Sequence, residues 1–330
     1  MTNELLYSFA PDPRRANFLY DQIKRRLVDS FRQIAAASQS VVEVDDGRLA
    51  RCLDAVTRAN HVSPALFGLY FDLLRAVDRD DLDEVSALFT QLLRGDHAGG
   101  IAAYRGLTDE DLGAGNAERY RRWFDNDVEE PLDPIPIDRE QFDRVSRLAD
   151  EALAILDAGA PEVSGEMRGY IAQIIFAKGK PGVQSTFHGV TSFFVWGALM
   201  FNADSNRTSL DLVGALTHEC SHSHLYAVAI DGPLVFNPDE ELHPSPLRTD
   251  PRPMDGIYHA AYVTAREHYA MNRLLQSGVL DAEQRKQAEH ELRYHVRNFR
   301  AGMATVEAHG QLSDLGATLL ATARDYMASI

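Results

Sequence analysis

Thr208-Ser209-Leu210-Asp211-Leu212-Val213-Gly214-Ala215-Leu216-Thr217-His218-Glu219-Cys220-Ser221-His222-Ser223-His224-Leu225-Tyr226-Ala227-Val228 has the periodicity of a helix that starts at Thr208 or Ser209. Leu210, Val213, Leu216 and Leu225 fall on its buried side. Residues four apart share a helix face, so His218 and His222 can present two imidazoles to one metal ion. Imidazole suits zinc, iron, copper and nickel. Glu219 is the candidate catalytic carboxylate, because zinc proteases place the group that activates metal-bound water beside the first histidine. His224 is expected to face elsewhere, exposed or in support of the ligands, and Cys220 to be a small buried residue.

Two histidines hold a metal weakly, so a third ligand is expected downstream. His259 ranks first, because a helix beginning near Met254 and packed on the first helix would deliver it rigidly. Glu267, eight residues further on that helix, ranks second. His243, in a Pro-flanked loop, ranks third.

Outward from this segment the chain reads as mostly helical. Leu19, Ile23, Leu27, Phe31 and Ile34 recur at helical spacing after Pro13. Further helices are expected at 49–56, at 65–77 behind Ser63-Pro64, at 81–93 ending at Gly95, and at 118–124. Glu129-Glu130-Pro131-Leu132-Asp133-Pro134-Ile135-Pro136 cannot be helical and is the best linker candidate. Asp138 caps a long helix to about Asp157. Tyr170–Ala177 and Thr191–Asn202 read as strands, with a Gly/Pro loop at 178–182 after the first. Leu234-Val235-Phe236 is a candidate short strand. Helices at 254–276, 281–309 and 313–327 close the chain.

The expected class is therefore an α-rich α+β fold: a helical N-terminal half, a small sheet next to the metal helix, and a helical C-terminus. The expected division is a helical region, 1–130, and a metal-binding region, 138–330, unless the two form one continuous domain.

Composition narrows the partners. The 330 residues carry 45% hydrophobic and 25% charged side chains, a globular balance. The net charge of −16 has no long basic run to offset it, which argues against nucleic acid and anionic membrane as partners. Cys52 and Cys220 are the only cysteines, so no disulfide framework and no CxxC zinc site is possible. Reduced thiols, and residues 1–10 that do not read as a signal peptide, fit the cytoplasm. No apolar run reaches membrane-spanning length.

A more specific pattern lies after the helix. His218-Glu219-Cys220-Ser221-His222, then Ser245-Pro246-Leu247-Arg248-Thr249-Asp250-Pro251-Arg252-Pro253-Met254-Asp255-Gly256, then Tyr258-His259 resembles the HExxH-motif family linked to peptide natural-product clusters. Its members are regarded as iron- and 2-oxoglutarate-dependent peptide β-hydroxylases. The resemblance runs from about Thr191 to Tyr269. Leu247 stands where the family carries Trp, and Met254 where it carries Leu, both still apolar.

The resemblance implies Fe(II) held by His218, His222 and His259, with 2-oxoglutarate as co-substrate and a peptide or amino-acid side chain as substrate. A dicarboxylate bound to the metal at one end needs a cation at the other, and Arg offers a bidentate fork. Arg248 and Arg252 in the Pro-rich segment, and Arg266 seven residues past His259, are the candidates. Glu219 would then orient a ligand or water rather than act as a base. Two rivals remain: a zinc metallopeptidase with Glu219 as general base, and a non-catalytic binding protein with a structural metal.

Overall fold

A computed structural model describes residues 6–125, 131–181, 187–248 and 250–330. Glu129 and Glu130 of the expected linker, Gly182 of the expected loop, and Thr249 lie outside the described residues. The chain forms an α-rich α+β fold with a small mixed sheet. It divides into two compact units that interleave along the sequence. One comprises 18–145 and 171–205; the other comprises 1–17, 146–170 and 206–330. The division thus does not fall at the Pro-rich stretch.

In the first unit, α1 (Pro13–Ser38, from Phe18 on) is followed by α2 (Asp46–Arg58), α3 (Ala65–Asp78) and α4 (Leu82–Arg94). Asp45 caps α2 and Asp81 caps α4, each accepting a backbone N–H three residues on. Short elements follow: β1 (Ala103–Gly106), α5 (Asp109–Leu112), α6 (Asn116–Phe124) and β2 (Pro134–Ile135). The sheet is completed by β3 (Gln173–Gly179), β4 (Gly189–Thr191) and β5 (Ala198–Asn202), in the order β1-β3-β5-β4. β1, β3 and β5 are parallel, β4 runs antiparallel to β5, and β2 adds antiparallel to the far end of β3.

β3 and β5 are apolar on both faces because both faces are covered: Ile174, Ile175, Phe176, Leu199 and Met200 are fully buried. On one side Ile175, Ala177, Ala198 and Met200 pack with Tyr120, Trp123, Phe124 and Val195. Asp72 of α3 pins α6 by accepting from Arg119 Nε at 2.6 Å, Arg122 Nη2 at 2.7 Å and Trp123 Nε1 at 3.0 Å. Gly68 of α3 leaves room for this, since a Cβ there would lie 2.6 Å from Arg119 Cδ.

Three expectations change here. The supposed strand 191–202 is β4, a 3₁₀ turn over Phe193–Val195, and β5. Tyr170 ends a helix, and β3 starts only at Gln173. The linker candidate contributes β2 to the sheet. The sheet therefore belongs with the N-terminal helices, while the HExxH helix belongs to the other unit.

That second unit contains α7 (Arg139–Gly159, from Ser146 on), α8 (Pro161–Tyr170), α9 (Ser209–Val228), α10 (Met254–Ser277), α11 (Ala282–His309) and α12 (Asp314–Ala328). α9 opens with a capping box: Thr208 Oγ1 accepts from Asp211 N, and Asp211 Oδ2 accepts from Thr208 N. α10 packs against α9, α11 and α12. It ends at Gly278, whose φ of +77° suits a glycine C-cap. Before α10 the chain makes a two-stranded ribbon, β6 (Leu242–His243) against β7 (Arg252–Pro253). Val235 makes a single bridge to Leu312 where a strand had been expected.

A buried ion cluster ties the N-terminal segment into this unit. Glu166 of α8 accepts from Arg15 Nη2 at 2.7 Å and pairs with Arg266 Nη2 of α10. Asp12 N donates to the same carboxylate at 2.8 Å, and Arg266 Nη1 donates to Phe9 O at 2.7 Å.

Candidate functional site

α9 and α10 bring the expected histidines together. His222 Nε2 lies 3.2 Å from His218 Nε2, within one helix face. Its other nitrogen, Nδ1, lies 2.9 Å from His259 Nδ1 on α10. The His222 and His259 rings are stacked, 5.2 Å between centroids. His218 meets α10 on its far side, where Nδ1 is 3.3 Å from Glu267 Oε1. Moving from His222 to His218 on α9 matches moving from His259 to Glu267 on α10, so the helices run antiparallel here. The side chains of His218 and His259 keep 27% and 12% exposure, so a solute can reach them.

The electrostatics follow from the neighbours. Burial opposes charge on His218, but Glu267, by charge and hydrogen bond, and then Glu219 outweigh it and raise its pKa to about 9. Burial and the charges of His218 and His259 hold His222 well below its ordinary value. His259 is lowered by burial, against the pull of Asp255 and with the push of His218. Two of the three rings are thus kept neutral at pH 7, and neutral imidazole is the form that binds a metal.

Two ring nitrogens about 2.0–2.1 Å from a shared ion lie roughly 3.0–3.4 Å apart, and the His218–His222 pair has this spacing. The third ring does not yet join them. His222 faces its two neighbours through opposite nitrogens, and among the described residues no three His, Cys, Asp or Glu side chains surround a common point. Closure on one ion requires His259 to reach the Nε2 side of His222. The donor set suits a borderline ion, and the pair meets the spacing.

Glu219 is buried, 6% exposed, and its charge is felt by both His218 and Tyr226. Tyr226, one turn past His222, places its ring 5.8 Å from that of His259. His224 is not exposed: it is fully buried and shares a 2.9 Å hydrogen bond with Tyr170 OH of α8. Cys220 is buried as expected.

Arg252 sits in β7, seven residues before His259, with Nε 2.6 Å from Asp250 Oδ2. Arg248 reaches Asp250 Oδ1 at 3.4 Å and is more exposed. Arg266 must be withdrawn as a carboxylate anchor. It is 3% exposed, and its guanidinium is committed to Glu166 and to Phe9 O. Seven residues carry it about 10 Å along the helix from His259, where the neighbours are α8 and the N-terminal segment.

His243 lies in β6, its ring stacked on His309 at 4.8 Å. Glu267 is brought to His218 rather than to the His218–His222 gap. His295 of α11 was missed. Its Nδ1 is 3.8 Å from Glu267 Oε2, and its side chain is 5% exposed. Only the periodicity of α11 could have hinted that this histidine faces α10.

No protein-family model matches the chain, and no curated protein matches it.

Proposed function

We propose that the chain is an Fe(II)- and 2-oxoglutarate-dependent hydroxylase acting on a peptide or amino-acid side chain, with the β-carbon as the target. The observation that carries this reading is the row His218–His222–His259, formed by two packed helices and followed back along the chain by Arg252 and Arg248. When bound, iron with the keto acid and O₂ supplies C–H oxidation, releasing succinate and CO₂. His218, His222 and His259 would hold the ion. Arg252, or Arg248 beside it, would meet the distal carboxylate by exchanging Asp250 for it, because an unpaired carboxylate in a dry site is costly. Arg252 is the stronger choice, being less exposed and set in a ribbon strand next to the start of α10. Glu219, buried beside His218, would orient that ligand.

The same histidines would serve a zinc peptidase in which Glu219 activates water, and the buried carboxylate beside His218 is the observation in its favour. Two free thiols support a cytoplasmic setting; among the described residues no helix is long and apolar enough to cross a membrane.

The test is succinate formation against 2-oxoglutarate concentration, with Fe(II) and air, for the parent, Arg252→Ala and Arg248→Ala. The parent turns over 2-oxoglutarate. Loss of the true anchor raises the half-saturating concentration by roughly thirty-fold or more, as expected for about 2 kcal/mol or more from a buried charged hydrogen bond. Iron content stays unchanged. Iron-loaded parent that makes no succinate, yet cleaves peptides when loaded with zinc, would replace the oxygenase by the peptidase.

A further inference from the structure

On the reading that His218 is a metal ligand, we propose that Glu267 and His295 are positioning residues: a carboxylate held between two helices that sets the ring orientation and tautomer of His218. Glu267 was a candidate ligand by sequence position, but its placement assigns it another task.

Its Oε1 faces His218 Nδ1 at 3.3 Å, the nitrogen opposite the one that faces His222. Accepting Nδ1–H there fixes the tautomer in which Nε2, once a metal displaces its proton, presents its lone pair to the His218–His222 gap. This is the arrangement in which an outer carboxylate raises the basicity of a metal-bound imidazole.

The second oxygen faces α11. Glu267 Oε2 lies 3.8 Å from His295 Nδ1, and His295 Nε2 lies 3.9 Å from Glu291 Oε2, one turn earlier on α11. No hydrogen bond among the described residues closes on the buried His295 Nδ1, and the Glu267 carboxylate is the acidic group that faces it. The carboxylate thus stands between α9 and α11, with one oxygen 3.3 Å from His218 Nδ1 and the other facing His295 at 3.8 Å. A lone carboxylate so buried would be costly, and the two rings offset that cost. His295 therefore acts on the metal site through Glu267, and α11 is the element that transmits the restraint.

The experiment uses the full chain and Co(II) as the probe, measuring affinity by chelator competition and recording the Co(II) absorption spectrum. Melting of the metal-free proteins serves as the control for folding. Glu267→Gln is expected to weaken Co(II) binding by roughly 10–100-fold and to shift the ligand-field bands while one equivalent still binds. Glu267→Asp should recover part of the affinity and of the spectrum. His295→Gln should lose several-fold, with Glu267 intact. A purely structural role would lower melting and leave the bands of the folded fraction where they are.

Unchanged affinity and bands in Glu267→Gln, or in His295→Gln if the first variant does not fold, would overturn the proposal. So would a Glu267→Gln spectrum showing the loss of one ligand, which would make Glu267 a ligand itself. Parent protein that binds no Co(II) would instead remove the metal site on which the proposal rests.

Discussion

Glu219 is the residue at which the two enzymatic readings part. A peptidase needs its carboxylate to move a proton to and from the attacking water, whereas an oxygenase draws its oxidant from O₂ and the keto acid. Glu219 is buried beside His218, and a glutamine there keeps the shape and loses the charge. Glu219→Gln is therefore expected to retain measurable 2-oxoglutarate turnover. For a zinc peptidase the same change would reduce peptide cleavage by several orders of magnitude. The check is succinate and peptide-cleavage assays on one fully metallated preparation. Abolished succinate formation in a folded, iron-replete variant would count against the orienting role.

At the scale of the element, α10 does two jobs with adjacent residues. Glu267 turns toward α9 and His218, while Arg266, about 100° away around the helix, turns to α8 and the N-terminal segment. Glu166 lies between Arg15 and Arg266 with no exposure, so its removal would strand two buried guanidinium groups. Breaking one side of such a cluster costs about 3–5 kcal/mol. Glu166→Gln should lower the urea midpoint accordingly, and replacing Arg15, Glu166 and Arg266 together by apolar residues of similar volume should recover much of the loss. Equal stability of parent and Glu166→Gln would show that the cluster does not anchor the segment at Phe9.

The whole molecule carries a pH signature from histidines buried in the neutral form. His97, in one unit, is lowered by burial against the pull of Leu92 O and Asp96. His268, in the other, is lowered to about 4 by burial and by the charge of His295. Each binds a proton more readily in the unfolded chain, near pH 6.5, than in the folded one. Stability from these groups is therefore complete above about pH 6.5 and is lost as pH falls toward the folded values. For His268 the loss is expected to be about 1–2 kcal/mol at pH 5. Urea midpoints from pH 7.5 to 5 should fall for the parent and fall less for His268→Gln, in which Gln can still meet Tyr326 OH, the present 2.9 Å partner of His268. Parallel curves for parent and variant would remove His268 from the account.

Local signals were enough for most of the long helices and for setting His218 and His222 on one face, but not for α8, which the sequence did not announce. Caps at Asp45, Asp81, Thr208, Asp281 and Ser313, and the glycine after α10, are short-range features, because an N-cap or C-cap is made by residues three or four apart. The pairing of His218 with His222 follows from the helical repeat alone, and His259 lies in the first two turns of the helix expected from Met254. Strand partners were not legible. β1 joins β3 across some seventy residues, and β2 turns a Pro-rich stretch into an edge strand, because sheet pairing is a non-local contact that periodicity does not encode. The assignment of Arg266, Glu267, His224 and His295 was equally beyond the sequence. Helical phase says which face a side chain occupies, but only the packed neighbours decide whether that face meets Glu166, His218, Tyr170 or open solvent.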